Sequence, residues 1–116
     1  MPRFDGRKDS TQDQIAEAWR ACGFWVLDLH NAAGTFAFEH EGERVHGGIA
    51  DLLALRGELA IWIECKAKEG RLEPAERAFQ MECEAWGCPY LIEACVEQAL
   101  QEAQQWRNRS IGRRGG

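Results

Sequence analysis

The chain has 116 residues, 45% of them hydrophobic and 28% charged, which is enough for one domain and too few for two ordinary ones. No apolar run approaches the roughly 20 residues that a membrane helix needs, and the opening Met1-Pro2-Arg3-Phe4-Asp5-Gly6-Arg7-Lys8-Asp9 has no apolar stretch behind its basic residues, so neither a membrane span nor a secretory leader is expected. Charge is unevenly spread: the formal net charge is −5, yet residues 9–106 set 18 acidic against seven basic side chains, while Arg3, Arg7 and Lys8 mark one end and Arg107, Arg109, Arg113 and Arg114 the other. An acidic body with basic ends argues against DNA binding by bulk charge, so any such contact must be local, through the ends or through a bound cation.

The elements follow in chain order. Ser10 and Thr11 are good N-cap residues, and Ile15, Ala18, Trp19 and Cys22 recur on one helical face before Gly23 stops the helix. Phe24 to Leu29 is aromatic and branched and reads as a strand. Phe36–Glu39 and Arg44–His46 are candidates for a hairpin, and Gly47-Gly48 breaks the pattern. Ile49–Leu55 and Leu59–Cys65 read as two strands joined by Arg56-Gly57-Glu58, a turn short enough to make them antiparallel. Pro74 opens a second helix with Ala75, Phe79, Cys83 and Trp86 on its apolar face, and Gly87 ends it. Pro89–Ile92 is a short strand, and Val96, Ala99, Leu100 and Ala103 mark a last helix that fades near Trp106. The expected fold is an α/β layer fold around a mixed sheet, with a basic tail at 1–9, one domain over 10–106 and a basic tail at 107–116.

Cysteines stand at 22, 65, 83, 88 and 95 with no Cys-x-x-Cys pair, so a zinc ribbon is not expected. Three lie inside apolar patterns, where a free cysteine behaves as a small hydrophobe in a reducing, cytoplasmic setting.

Charges inside strands are the informative exceptions. Asp51 lies in an otherwise apolar strand, and Trp62, Glu64 and Lys66 share one face of the next, opposite Leu59, Ile61, Ile63 and Cys65. The turn at 56–58 brings Asp51 toward Glu64. Two carboxylates held together in a poorly solvated place repel, and a divalent cation removes that cost. Oxygen donors without His or Cys suit Mg²⁺ or Mn²⁺. Lys66 then supplies a cation to hold or help deprotonate a water and to neutralise a phosphate, so the three residues describe metal-assisted phosphodiester hydrolysis. The competing reading of the same residues is a surface salt bridge between Glu64 and Lys66 beside a strand-end Asp51.

Gly48-Ile49-Ala50-Asp51, a strand, a turn and Ile63-Glu64-Cys65-Lys66 resemble the signature of PD-(D/E)XK nucleases. Lys66-Ala67-Lys68-Glu69-Gly70-Arg71-Leu72-Glu73-Pro74-Ala75-Glu76, and Gly87-Cys88-Pro89-Tyr90-Leu91-Ile92 with Val96-Glu97-Gln98-Ala99-Leu100, resemble the VRR-NUC branch. Arg7-Lys8-Asp9, Gln14-Ile15, Gly23 and Val26-Leu27-Asp28-Leu29 resemble the opening of its small stand-alone phage and prophage members. The resemblance covers roughly residues 7–100. It implies a restriction-endonuclease-like three-layer fold and a Mg²⁺-dependent DNA endonuclease selective for structure, of the Holliday-junction-resolvase kind, acting as a homodimer. By that analogy Asp51, Glu64 and the carbonyl of Cys65 hold the metal, and Lys66 positions the water. The chain departs from the family in having Ala50 where Pro is usual, Glu76 where Gln is frequent, and Gln14 where the first helix often offers Glu; Gln14 and Glu76 are therefore accessory candidates. The alternative is a non-catalytic DNA-binding or protein-interaction module of the same fold.

Lys68 and Arg71, in the loop past the site, and Arg107 and Arg109, in the C-terminal tail, are candidates for DNA contact. His30, His40 and His46 read first as loop histidines, although His30 after the first strand and His46 before Gly47-Gly48 stand where either could reach DNA or the cleft. Trp19 and Trp86 are expected in the core, Trp62 is a candidate to pack under the first or second helix, and the sequence leaves open whether Trp25 fills a dimer interface.

Overall fold

A computed structural model describes the backbone of residues 6–115 and the side chains of 11–32 and 34–109. The order is helix α1 (Gly6–Ala21), strand β1 (Trp25–Asp28), a short 3-10 helix (His30–Thr35), β2 (Ala37–His40), β3 (Glu43–His46), β4 (Leu52–Arg56), β5 (Leu59–Cys65), α2 (Pro74–Trp86), β6 (Tyr90–Glu93) and α3 (Val96–Gly115). β1, β4, β5 and β6 form one mixed sheet in the order β1-β4-β5-β6, antiparallel except for the parallel pair β5–β6, and β2–β3 form a separate antiparallel hairpin. The protein is thus mixed α/β with three α-helices, as the periodicities predict.

The alternation along β5 divides the interior in two. Ile61 and Ile63 join Leu52, Ala54 and Val26 beneath Ile15 and Trp19 of α1, Cys22 just after it, and Ala99 and Ala103 of α3. On the opposite face Trp62 and Tyr90 pack under α2, with Phe79, Cys83, Ile49 and Ala50. Phe38 reaches Phe79 edge-on with ring centroids 5.4 Å apart, so the hairpin lies against α2. An apolar stripe on each helix meets an apolar sheet face because each has no other way to leave water.

Some boundaries differ from expectation. Asp51 is not inside a strand: β4 starts at Leu52, after Gly47 and Gly48, both at positive φ. Gly48, at φ 81°, is held close to the first turn of α2, where a Cβ would overlap the Ala75 carbonyl. α1 runs back past Ser10 to Gly6, because a capping residue favours a helix start but does not forbid propagation through it. α3 continues past Trp106 to Gly115, within the stretch read as a basic tail, and Arg109 stacks over the Trp106 ring, 4.2 Å from its centroid. Residues 1–5 of the basic N-terminal tail, Arg3 included, lie outside the described residues, as do the side chains of Arg7, Lys8, Arg113 and Arg114. Trp86 is not in the core: it is 78% exposed and its Nε1–H donates to Glu82 (3.1 Å), because its turn of α2 overruns the residues that cover the stripe. Trp25 is also exposed. Among the described residues, no helix is long and apolar enough to cross a membrane.

Candidate functional site

β4 and β5 pair so that Leu52 lies opposite Ile63, which sets Asp51, one residue before β4, beside the end of β5. Asp51 continues the sheet without belonging to a strand: its carbonyl accepts the Leu29 N–H (2.7 Å) and its Oδ2 accepts the Cys65 N–H (3.0 Å). The first acid is thus anchored to the residue between Glu64 and Lys66.

Glu64 and Lys66 project on the α2 side of β5, as alternation requires. Glu64 is 3% exposed, and its Oε1 has no hydrogen-bond partner. Burial, reinforced by the charges of Asp51 and Glu76 and opposed by Lys66, pushes its carboxyl up to about 8. Lys66 Nζ lies 2.9 Å from Glu76 Oε1 and 3.8 Å from Glu64 Oε2. Its hydrogen bond to Glu76 raises the ammonium above its ordinary range, so it is a cation and a donor at neutral pH rather than a base.

Glu76 stands in the first turn of α2 and serves two partners. Its Oε1 also accepts the Glu73 N–H (2.8 Å), capping the helix that Pro74 opens. Burial disfavours its charge, but the Glu73 N–H and the Lys66 ammonium outweigh that and hold the carboxyl below the usual range. Glu76 is thus a group that holds Lys66.

These side chains line one cleft of about 440 Å³, with Asp51, Glu64, Cys65, Lys66 and Glu76 all at its wall. Gln14 is exposed and away from it; the α1 residues at the wall are Thr11 and Gln12. Gln12 lies three residues before the buried Ile15, on the flank of the stripe, whereas Gln14 is turned some 200° from it. Gln12 Nε2–H donates to Asp28 (3.0 Å). Lys68 and Arg71 are exposed in the loop before α2, outside the cleft wall, and Arg107 and Arg109 are exposed on α3.

His30, which the sequence left as a residue able to reach the cleft, and Glu93, which it did not single out, also line it. His30 opens the 3-10 helix after β1, and its Nδ1 stands 3.5 Å from Asp51 Oδ1. Glu93, at the end of β6, is fully buried; its Oε1 accepts the Trp19 Nε1–H (2.9 Å), and its carbonyl accepts the Lys66 N–H (3.0 Å). Burial, together with Glu102, holds its carboxyl above the usual range. The signal for Glu93 was available: an acid closing a strand of Tyr, Leu and Ile.

The donor set suits a hard divalent cation. Asp51, Glu64 and the Cys65 carbonyl are all oxygen donors, and a buried Glu64 with an unpartnered Oε1, which holds a proton because burial and Asp51 disfavour its charge, is a group whose proton such an ion would displace. Among the described residues no three His, Cys, Asp or Glu side chains form a ready-made cation site, so a cation held here relies on the two acids and on backbone. Compared with protein-family models, with characterised proteins and with solved structures, the chain gives no significant match.

Proposed function

We propose that the protein is a Mg²⁺- or Mn²⁺-dependent DNA endonuclease with the restriction-endonuclease-like arrangement of a mixed sheet between helices, akin to the VRR-NUC branch. The observation that carries this reading is the meeting of Asp51, Glu64 and Lys66 at one cleft, with Glu64 buried and half-satisfied. Asp51, Glu64 and the Cys65 carbonyl would hold the ion, which supplies polarisation of the phosphoryl group and an acidic water. The Lys66 ammonium, held by Glu76, donates to the attacking water or to phosphate oxygens as negative charge builds there. The surface salt bridge read from the sequence is part of the same arrangement, since Lys66 faces both Glu64 and Glu76.

Phosphate contact comes from outside the acidic cleft. Arg107 and Arg109 lie on a helix whose final ten residues carry no acid, and a two-fold dimer would set two such helices on one piece of DNA. The reading therefore includes a homodimer that prefers branched DNA, whose junction has a matching approximate symmetry. A panel of end-labelled junction, flap, splayed-arm, duplex and single-stranded substrates, incubated with Mg²⁺ or with excess EDTA, tests it. Metal-dependent cutting, strongest on branched DNA, is expected. Binding without cutting under every metal condition would instead select the non-catalytic module, and sedimentation as a monomer with and without DNA would remove the dimer.

A further inference from the structure

The C-terminus of α2 ends in a complete Schellman turn. Gly87 sits at φ 76°, its N–H donates to the Glu84 carbonyl (3.3 Å), and the Cys88 N–H donates to the Cys83 carbonyl (2.8 Å). In such a turn the side chains at the two ends of the longer hydrogen bond are the pair that come into contact. Here both are cysteines, and both are free thiols. Cys83 is buried against Phe79 and Ala50, whereas Cys88 is exposed.

We propose that Cys83 and Cys88 form a peroxide-sensitive dithiol, a modification site that closes to an intrachain disulfide. Accessibility sets the order of events. The Cys88 sulfur attacks the O–O bond of hydrogen peroxide, giving a sulfenic acid and one water. The Cys83 sulfur then displaces the hydroxyl from Cys88, and its own proton leaves with that oxygen as a second water. Two thiols and one peroxide thus give one disulfide and two waters. Burial pushes the Cys83 thiol up to about 12, with the neighbouring Cys88 adding to the effect, so the exposed Cys88 meets the oxidant first and Cys83 follows as its neighbour.

The ring is short, so little chain entropy is removed and the bond acts on local geometry rather than on global stability. It closes one residue before Pro89, whose carbonyl accepts the Trp62 N–H (3.0 Å), and so fixes the corner where α2 hands over to β6.

The test treats the full folded chain with hydrogen peroxide, blocks remaining thiols with N-ethylmaleimide, unfolds it and maps it after cleavage at glutamate. That cleavage separates Cys83-Glu84 from Ala85–Glu93 unless sulfur joins them. The free-thiol count should fall from five to three with loss of two hydrogens, the two peptides should stay joined, and dithiothreitol should reverse both. Cys95→Ser should leave the cross-link intact, and Cys88→Ser should abolish it. Unfolding in urea should slow closure several-fold, since the turn no longer holds the pair. A Cys88 that pairs with Cys95 or a second chain, or that oxidises further while Cys83 is still alkylated, overturns the proposal. So does closure at the same rate in urea. None of these readouts depends on nuclease activity.

Discussion

The backbone N–H of Cys65 donates to Asp51 Oδ2 across 3.0 Å, so the strand that carries Glu64 and Lys66 also holds the acid that precedes β4. A single hydrogen bond thereby ties the position of one carboxylate to the other, and an amide at 51 can still accept it. Asp51→Asn, Glu64→Gln and Lys66→Ala should therefore fold normally while each loses Mg²⁺-dependent DNA cleavage, by about 10²-fold or more. Single-turnover cleavage beside circular dichroism checks this. Cutting at the wild-type rate by Lys66→Ala, or cutting in excess EDTA, would remove the mechanism.

Glu64 gives stability a pH dependence. Its folded carboxyl binds a proton up to about pH 8, whereas an unfolded glutamate releases it near 4.5. The folded state therefore binds more protons between those values. Stability falls as pH rises from about 4.5 to about 8, with a total on the order of 5 kcal/mol for this group. Glu64→Gln should flatten that fall and be more stable than wild type at pH 8 but not at pH 4.5. Adding Mg²⁺ at pH 7 should raise the melting temperature of wild type and release protons, and should do neither for Glu64→Gln. Urea titrations across pH and calorimetry in two buffers of different ionisation enthalpy read both effects.

The Trp19 Nε1–H donates to Glu93 Oε1 where α1 meets β6, with Glu102 beside the same carboxyl. Trp19→Phe keeps a ring in the core but removes the N–H. It should cost about 1–3 kcal/mol, from the unpaired carboxyl and the smaller ring. The double variant with Glu93→Gln should recover part of that cost. Urea midpoints of the four proteins form the double-mutant cycle, and additivity would show that the hydrogen bond contributes nothing.

Arg107 and Arg109 are exposed on the last turns of α3, beyond Ala99 and Ala103, which anchor that helix to the core. Ending the chain at Trp106 should leave melting nearly unchanged and weaken DNA binding. The slope of log affinity against log salt should drop by about one for each phosphate that an arginine no longer neutralises. Fluorescence anisotropy at several salt concentrations measures the slope, and an unchanged slope would move phosphate binding away from this helix.

The order of elements, the apolar stripes of α1 and α2, the antiparallel turn at 56–58 and the face of β5 that carries Glu64 and Lys66 are all legible in the residues alone. All of these are local: a side chain's face follows from a period of two or of 3.6, and Gly87 and Pro74 punctuate helices through their own backbone preferences. Which neighbours those faces meet is a matter of long-range packing. The parallel pairing of β6 with β5 puts Glu93 beside Cys65, and packing of α1 across that strand end turns Gln12 rather than Gln14 to the cleft and gives Glu93 its Trp19 donor. Glu76 was legible as an acid at a helix start, but its grip on Lys66 depends on where α2 lands. That landing depends on Gly48 passing close to Ala75. Pairings between residues far apart in the chain carry no period, so composition and spacing leave them open until the layers close.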